Sequence, residues 1–422
     1  MPEITPIFTA GLRTPFATAH RGAYREIRPD DLLVSLFKAH RERFPLFWSA
    51  GLDDVVVGCA YPEGEQGYNV ARMAGLGAGI TAPGLTVNRL CGSSLEAALI
   101  AAAFVRSGRG TRFLVGGVES MSRVPRRGGA FSESPLVAAA SPRAYVTMGE
   151  TAEELASLHP DLTRAAQEEC AALSHERAHA AYAAGWYHEQ IVPTGSSSGL
   201  DRVASSAAEP GGIVPHGGPF ASLIPPPKPP SGSPSGLTRD EGIRHPANRE
   251  KMASLAPSFR EGGVVTAATS SPLSDGAACG VVLAESEAVS SGLTEGLRVI
   301  DAVASHVAPE VMGLGPVPAV RQLMARNGLS WRDVAAVEMN EAFAVQVLAC
   351  RKELELDPTI VNLWGGALAV GHPLGASGLR LMMTLQGRLK QRGKRGALGI
   401  ATLCVGGGQG VAVLCEYVQP GR

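Results

Sequence analysis

Short apolar runs alternate with helical stretches along the first third of the chain. DDVVVGCA (53–60), GLTVNRL (84–90) and TRFLVGGVES (111–120) predict strands, whereas NVARMAGLGAGI (69–80) and the alanine-rich SSLEAALIAAAFVRSG (93–108) predict helices. The last third repeats this order. AAVEMNEAFA (335–344) reads as a strand running into a helix, and TIVNLWGG (359–366) as a strand-like approach. ASGLRLMMTLQGRLKQRG (376–393) is a helix with a basic end, and ALGIATLCVGGGQGVAVLCEYV (397–418) gives two strands around a glycine turn. Strands alternating with helices predict an α/β core around a largely parallel sheet. TVNRLCGSS and IVNLWGG each end a strand in Val-Asn and lead through a Gly-rich turn to a long helix, which suggests one unit used twice.

The middle differs. Residues 150–190 read as polar helices, and 195–237 are rich in Gly, Ser and Pro, including IPPPKPPSGSPSG. Such a stretch cannot bury enough surface to offset its ordering entropy, so a mobile surface insertion is expected, with a partner-binding proline motif as the alternative.

The length of 422 residues suggests two or three folding units at ~150 residues each. Lys+Arg 38 against Asp+Glu 39 leaves a formal charge of -1, which calls for neither a nucleic-acid partner nor a membrane surface. The seven cysteines contain no C-x-x-C pair and suit a reducing, cytoplasmic compartment rather than a disulfide framework or zinc site. No signal-peptide pattern opens the chain, and no apolar run approaches the ~18 residues of a membrane span.

GSSSG (195–199) fits the spacing of a serine-hydrolase elbow but lacks the preceding strand and following helix, so it carries no such prediction. Cys91 has them: it ends an apolar strand and leads directly into a helix. Unpaired N–H groups and the dipole there favour the thiolate and can bring a thiol from ~8.5 towards ~3.5–7.5. A cysteine buried as a small apolar group is the alternative. His372 sits in the glycine-dense turn GGALAVGHPLGASG (365–378), where a structural hydrogen-bonding role is the alternative to catalysis. Cys404 precedes glycines whose amides can line an anion pocket. Asn340 lies where a strand turns into a helix and can cap that helix.

VNRLCGSS, NEAFA, GGALAVGHPLGASG and CVGGGQG together resemble the four active-site signatures of the thiolases, in the family's order and at similar separations. Weaker similarity in GVESMSRVP, MGETAEELA, RDEGIRHPANREKMASLAPSF and GGVVTAATSSPLSDGAA extends it over nearly the whole chain apart from about 195–237. The resemblance implies a duplicated α/β core, layered αβαβα, with an inserted loop domain. The N-terminal half would be 1–122 completed by 251–290, the loop domain 123–250, and the C-terminal half 291–422.

The resemblance also implies roles. Cys91 would be the nucleophile, His372 its base, and Cys404 the proton carrier for the second substrate. Asn340 would hold a water that joins His372 in one oxyanion hole, with the amides of Cys91 and Gly406 forming the other. Ser271, Arg244 and Met148 would line the path of coenzyme A, and Ala342 and Phe343 would face its pantetheine arm. Coenzyme A is then a substrate, with no metal or permanently bound cofactor expected.

One departure stands out: the family pattern Asn-x-Asn-Gly-Gly reads Asn362-Leu363-Trp364-Gly365-Gly366 here, adding bulk close to His372 and unsettling the expected substrate range. VNRLCGSS, TSSPLSDGA and VEMNEAFAVQ are most similar to the 3-ketoacyl-CoA thiolases of bacterial fatty-acid β-oxidation. Thr147 stands where biosynthetic acetoacetyl-CoA thiolases tend to have histidine. This implies a homodimer or dimer of dimers, docked in some systems to a hydratase/dehydrogenase subunit. The alternatives are a biosynthetic acetoacetyl-CoA thiolase, a non-catalytic acyl-CoA-binding relative, and a decarboxylating ketosynthase of the same architecture.

Overall fold

The computed structural model describes residues 4–194 and 236–421, so nearly all of the 195–237 insertion and the 195–199 motif lie outside the described residues. The first half runs β1 (Pro6–Arg13), α1 (Pro29–Arg43), β2 (Asp54–Gly58), α2 (Val70–Gly77), β3 (Gly84–Val87), α3 (Ser93–Arg106) and β4 (Arg112–Ser120). Two helices of the loop region follow, α4 (Met148–Leu158) and α5 (Arg164–Ala183), and then β5 (Ser274–Ala284). The second half runs β6 (Gly296–His306), α6 (Pro316–Arg326), β7 (Val334–Met339), α7 (Ala344–Glu353), α8 (Leu374–Gln391), β8 (Leu398–Val405) and β9 (Gln409–Val418).

The duplication is written in the strand order, β3-β2-β4-β5-β1-β6-β9-β8-β7. Beyond β7 a single parallel bridge, Val337 to Val361, stands in the place that β3 holds in the first half. Each half therefore has the same sequence of neighbours, read outward from the centre. The halves meet where β1 pairs with β6 through only two residue pairs, Ile7–Arg298 and Phe8–Leu297. The strand-like approach expected at 359–366 is thus mostly absent. Pro358–Ile360 is a single 3-10 turn, and Asn362 adopts a positive φ of 46° that ends any extension.

Both faces of the sheet are covered, which explains the nearly continuous apolar strands. Val56, Phe113, Val115, Val411 and Val413 point to a central layer made by α3 and α8. Their neighbours Val55, Val57 and Leu114 face α1, while Ala412 and Leu414 face α6. This period-two partition gives five layers, helix–sheet–helix–sheet–helix, as expected for duplicated halves. The sheet is not largely parallel, however: the β2–β3, β2–β4 and β7–β8 pairings are parallel, whereas β4–β5, β5–β1, β1–β6, β6–β9 and β9–β8 are antiparallel. The two central helices meet closely at Gly378, where a Cβ would lie 2.3 Å from the Leu95 backbone nitrogen. That contact brings the N-termini of α3 and α8, one from each half, to the same place. No helix of the described residues is long and apolar enough to cross a membrane.

The loop region is tied to the core by a buried ion pair. Arg13 on β1 donates to both carboxylate oxygens of Asp240 at 2.7 and 2.9 Å, and Tyr182 of α5 also donates to Asp240. Burial would otherwise make a lone charge at either position costly by several kcal/mol.

Candidate active site

Cys91 lies in the 3-10 turn Leu90–Gly92, immediately before α3. Ser93 shapes this turn, its hydroxyl donating to the Leu90 carbonyl at 2.6 Å and accepting from the Arg89 amide at 3.0 Å. The Gly406 N–H, from the β8–β9 turn of the other half, lies near enough to the Cys91 sulfur to favour its thiolate. Gln409 holds the Gly406 carbonyl at 3.2 Å, and a Cβ at Gly406 would meet Leu90 at 2.8 Å. Cys404, at the end of β8, is close enough for its charge state to couple to that of Cys91.

The imidazole comes from the turn before α8. Gly371, at φ 101°, leaves no room for a side chain because a Cβ would sit 2.6 Å from Ser274 Oγ. That hydroxyl instead accepts from the His372 amide at 3.0 Å. His372 Nδ1 is 2.6 Å from Ser377 Oγ, and its Nε2 is 3.3 Å from Asn340 Nδ2. Asn340 does not cap a helix: α7 begins at Ala344 with Phe343 as its N-cap. Its Oδ1 accepts from Arg380 of α8 at 2.9 Å.

Two buried carboxylates hold this frame. Glu341 accepts from Ser174 Oγ (2.6 Å), Asn362 Nδ2 (3.0 Å) and the Leu368 amide (3.2 Å), fixing the segment before His372. Glu119 at the end of β4 accepts from the Ala60 amide, Gln66 Nε2 and the Gly375 amide, joining the first half to the start of α8.

The electrostatics reverse one sequence expectation. Cys91 keeps some exposure, yet burial pushes its thiol up to about 12, outweighing the lowering effect of the Gly406 amide; the Glu119 charge adds to the rise. The helix start is therefore insufficient to make a resting thiolate, because the cost of burying the charge outweighs what the nearby amides return. Burial also raises Cys404 well above the usual thiol range. His372 moves the opposite way, to about 3, through burial and then the positive Arg380. Both members of the pair rest uncharged.

A groove of about 1200 Å³ is lined among others by Arg244, Lys251, Phe259, Ser271 and Leu273. Ser271 donates its amide to the Ala342 carbonyl at 3.0 Å, and Leu273 forms a parallel bridge with His372, so the groove wall runs into the base. The Arg244 backbone is held by His175 Nδ1 at 3.2 Å. Phe343 meets Phe259 edge-on at 5.9 Å. Met148, at the start of α4, packs with Ala342, Phe343 and Cys404 in one apolar cluster. Of the residues singled out from sequence, Cys91, Cys404 and Gly406 share one cluster and Asn340 and His372 another contact. Ser271 and Arg244 share the groove.

Two family models match the chain: the thiolase N-terminal domain over residues 7–211 and 199–286, and the thiolase C-terminal domain over 295–417. The chain belongs to the thiolase family. It is 39% identical over 421 residues to a 3-ketoacyl-CoA thiolase of Serratia proteamaculans (strain 568), covering 98% of this chain and 99% of that one. A 3-ketoacyl-CoA thiolase of Shewanella frigidimarina is also 39% identical, over 96% of this chain and 98% of its own. Among solved structures, the acetyl-CoA acetyltransferase of Bacillus anthracis is similar with a TM-score of 0.81, 33% identity and 99% coverage of both chains. Human mitochondrial 3-ketoacyl-CoA thiolase in complex with CoA gives 0.79, 29% and 98% of both. This thiolase is accordingly an acyltransferase.

Sequence reading missed Ser377, Arg380, Ser274 and Glu119. A signal was present for the first two: Ser377, Arg380, Thr384 and Arg388 recur at helical spacing on an otherwise apolar α8, and all four are buried. Trp364 points away from His372. It stacks on Trp186 at 5.3 Å, meets Tyr187 edge-on at 5.6 Å, and donates to Gln391 at 3.2 Å. The departure from the family pattern is absorbed by packing at the far side of α8.

Proposed function

We propose that this thiolase cleaves 3-ketoacyl-CoA with CoA, giving acetyl-CoA and a shortened acyl-CoA through an acyl-enzyme on Cys91. What supports the reading is the grouping of Cys91 with Gly406 and Cys404, the His372–Asn340 contact, and the packing of the Cys91 turn against α8, the helix that follows the His372 turn.

As the Cys91 sulfur attacks the keto carbon, its proton passes to His372 Nε2. The new alkoxide is met by the Cys91 and Gly406 amides, which need no reorganisation at that moment. The C–C bond then breaks, leaving the acyl group on Cys91 and an acetyl-CoA enolate. The enolate oxygen is held by protonated His372 and a water on Asn340, and its carbon takes the Cys404 proton. A second CoA thiol returns a proton to Cys404 and attacks the thioester, and His372 gives its proton back to Cys91. Neutral resting partners suit this sequence, because charge then develops only where donors wait for it. Ser271, Arg244 and Met148 line the path of CoA, with Ala342 and Phe343 against its pantetheine arm.

The chain acts in a cytoplasmic setting as a homodimer or dimer of dimers, docked to a hydratase/dehydrogenase subunit, with CoA as substrate rather than resident cofactor. Residues 1–122 with 251–290, and 291–422, act as the two halves around the 123–250 loop domain. The likeness to an acetyl-CoA acetyltransferase supports a second reading, short-chain acetoacetyl-CoA chemistry. Thiolysis rates on C4 and C10 3-ketoacyl-CoA separate the two. Turnover of C10 supports the degradative reading, and turnover of C4 alone overturns it.

A further inference from the structure

The hydrogen-bond directions around His372 follow from one residue outside the reacting set. Arg380 is buried, with 1% of its surface exposed, and its guanidinium can only donate. Its contact at 2.9 Å therefore requires Asn340 Oδ1 as acceptor. The Asn340 amide group must then present its N–H donors to His372 Nε2, at 3.3 Å. A neutral imidazole that accepts at Nε2 carries its proton on Nδ1. That proton goes to Ser377 Oγ at 2.6 Å, and the Ser377 hydroxyl donates onward to the Pro373 carbonyl at 3.1 Å. Every link has one allowed direction, set at one end by Arg380, which can only donate, and at the other by the Pro373 carbonyl, which can only accept.

We propose that Arg380 is a positioning residue that fixes the Asn340 amide and, through it, the Nδ1–H tautomer of His372, leaving Nε2 as the unprotonated nitrogen that serves as the base. The proposal rests on the reading of His372 as the base for Cys91. An amide rotated end for end has nearly the same shape, so Asn340 alone does not choose between its orientations. With Oδ1 towards His372 the favoured tautomer would be Nε2–H, which cannot take the thiol proton. Arg380 is itself held among Glu338, Glu341 and Tyr187, with Arg388 neutralising Glu338 at 2.9 Å. Its positive charge also helps lower the basicity of His372, in keeping with a base that stays unprotonated until the thiol is attacking.

The test is nitrogen NMR of labelled histidine in the full-length enzyme, joined to thiolysis rates. The wild-type protein is expected to show His372 protonated at Nδ1 with Nε2 unprotonated. Arg380→Met is expected to populate the Nε2–H tautomer and lower kcat about 10–100-fold, the scale of lost support for a reacting group. Arg380→Lys, which keeps a donor and a charge, restores the Nδ1–H signal and part of the rate. Asn340→Asp is nearly isosteric and presents only acceptors, so it is expected to invert the tautomer even if Arg380→Met does not fold. A wild-type Nε2–H tautomer, or an unchanged Nδ1–H signal in Asn340→Asp, overturns the proposal. Full thiolysis by His372→Ala would instead overturn the base assignment, while leaving the measured tautomer as it is.

Discussion

The Gly406 amide and the Cys91 sulfur belong to opposite halves of the duplicated core, and the amide favours the thiolate against the burial that disfavours it. The surroundings of Cys91, the proposed nucleophile, are therefore completed only when the β8–β9 turn is packed against the start of α3. The same closure of halves recurs at Glu119, whose carboxylate joins the Ala60 amide to that of Gly375.

Cys404 should carry protons in both half-reactions. Cys404→Ala is expected to lose exchange of the acetyl-CoA methyl protons with D2O. It should also form the acyl-enzyme from a saturated acyl-CoA more slowly, since that is the reverse of the step in which Cys404 takes the CoA proton. Thiolysis should fall by about 10²–10³-fold or more, the scale seen when a proton-transfer group is removed. Retained exchange would exclude Cys404 as the proton carrier.

Three buried histidines make the fold sensitive to acid. Burial lowers His40 and His372 to about 3 and His175 to about 4. Their unfolded value is 6.5, so below that pH the unfolded chain binds protons that the folded one refuses. The histidine contribution to stability should be fully present above pH 6.5 and decline as pH falls towards 3, opposed between pH 7 and 4.5 by Glu338, which burial raises from 4.5 to about 7. The buried thiols act at the other end: Cys91, Cys170, Cys350 and Cys415 rise from 9.0 to about 12, so stability should decline as pH rises above 9. Denaturant midpoints at pH 5, 7 and 10 check both slopes, and a flat profile would contradict them.

Asp240→Ala should destabilise the protein by about 3–5 kcal/mol, because it leaves the Arg13 guanidinium buried and unpaired between Phe16 and Tyr187. Denaturant titration measures the loss. Asp240→Asn, which keeps an acceptor, should lose less.

Trp364→Asn restores the commoner family residue and tests where the indole acts. Loss of its packing on Trp186, Tyr187 and α8 should cost about 3–5 kcal/mol. Relative rates on C4 and C10 substrates should not change, and a shift in that ratio would place Trp364 in the acyl pocket.

Much of this was legible in advance where a local pattern decides the structure. The apolar runs at 53–60 and 111–120 became β2 and β4, and the alanine-rich stretch became α3, because periodicity and burial agree there. The 359–366 segment failed because strand-like composition cannot reveal the positive φ at Asn362, which is set by the bonds of its side chain to the Met339 backbone and Glu341. The charge state of Cys91 was misjudged for a related reason. A helix start is visible in sequence, whereas the burial that overrides it arises only in the packed fold. Arg380 was hidden similarly: its spacing with Ser377 was readable, but its partner Asn340 lies 40 residues away.

The most direct test of the account is to mix the enzyme with an acyl-CoA in the absence of free CoA, quench it, and weigh the peptide that carries Cys91. An acyl mass on Cys91 that disappears when CoA is added is the predicted result. Turnover at full rate with no adduct, or an adduct on another residue with Cys91 unmodified, would contradict it.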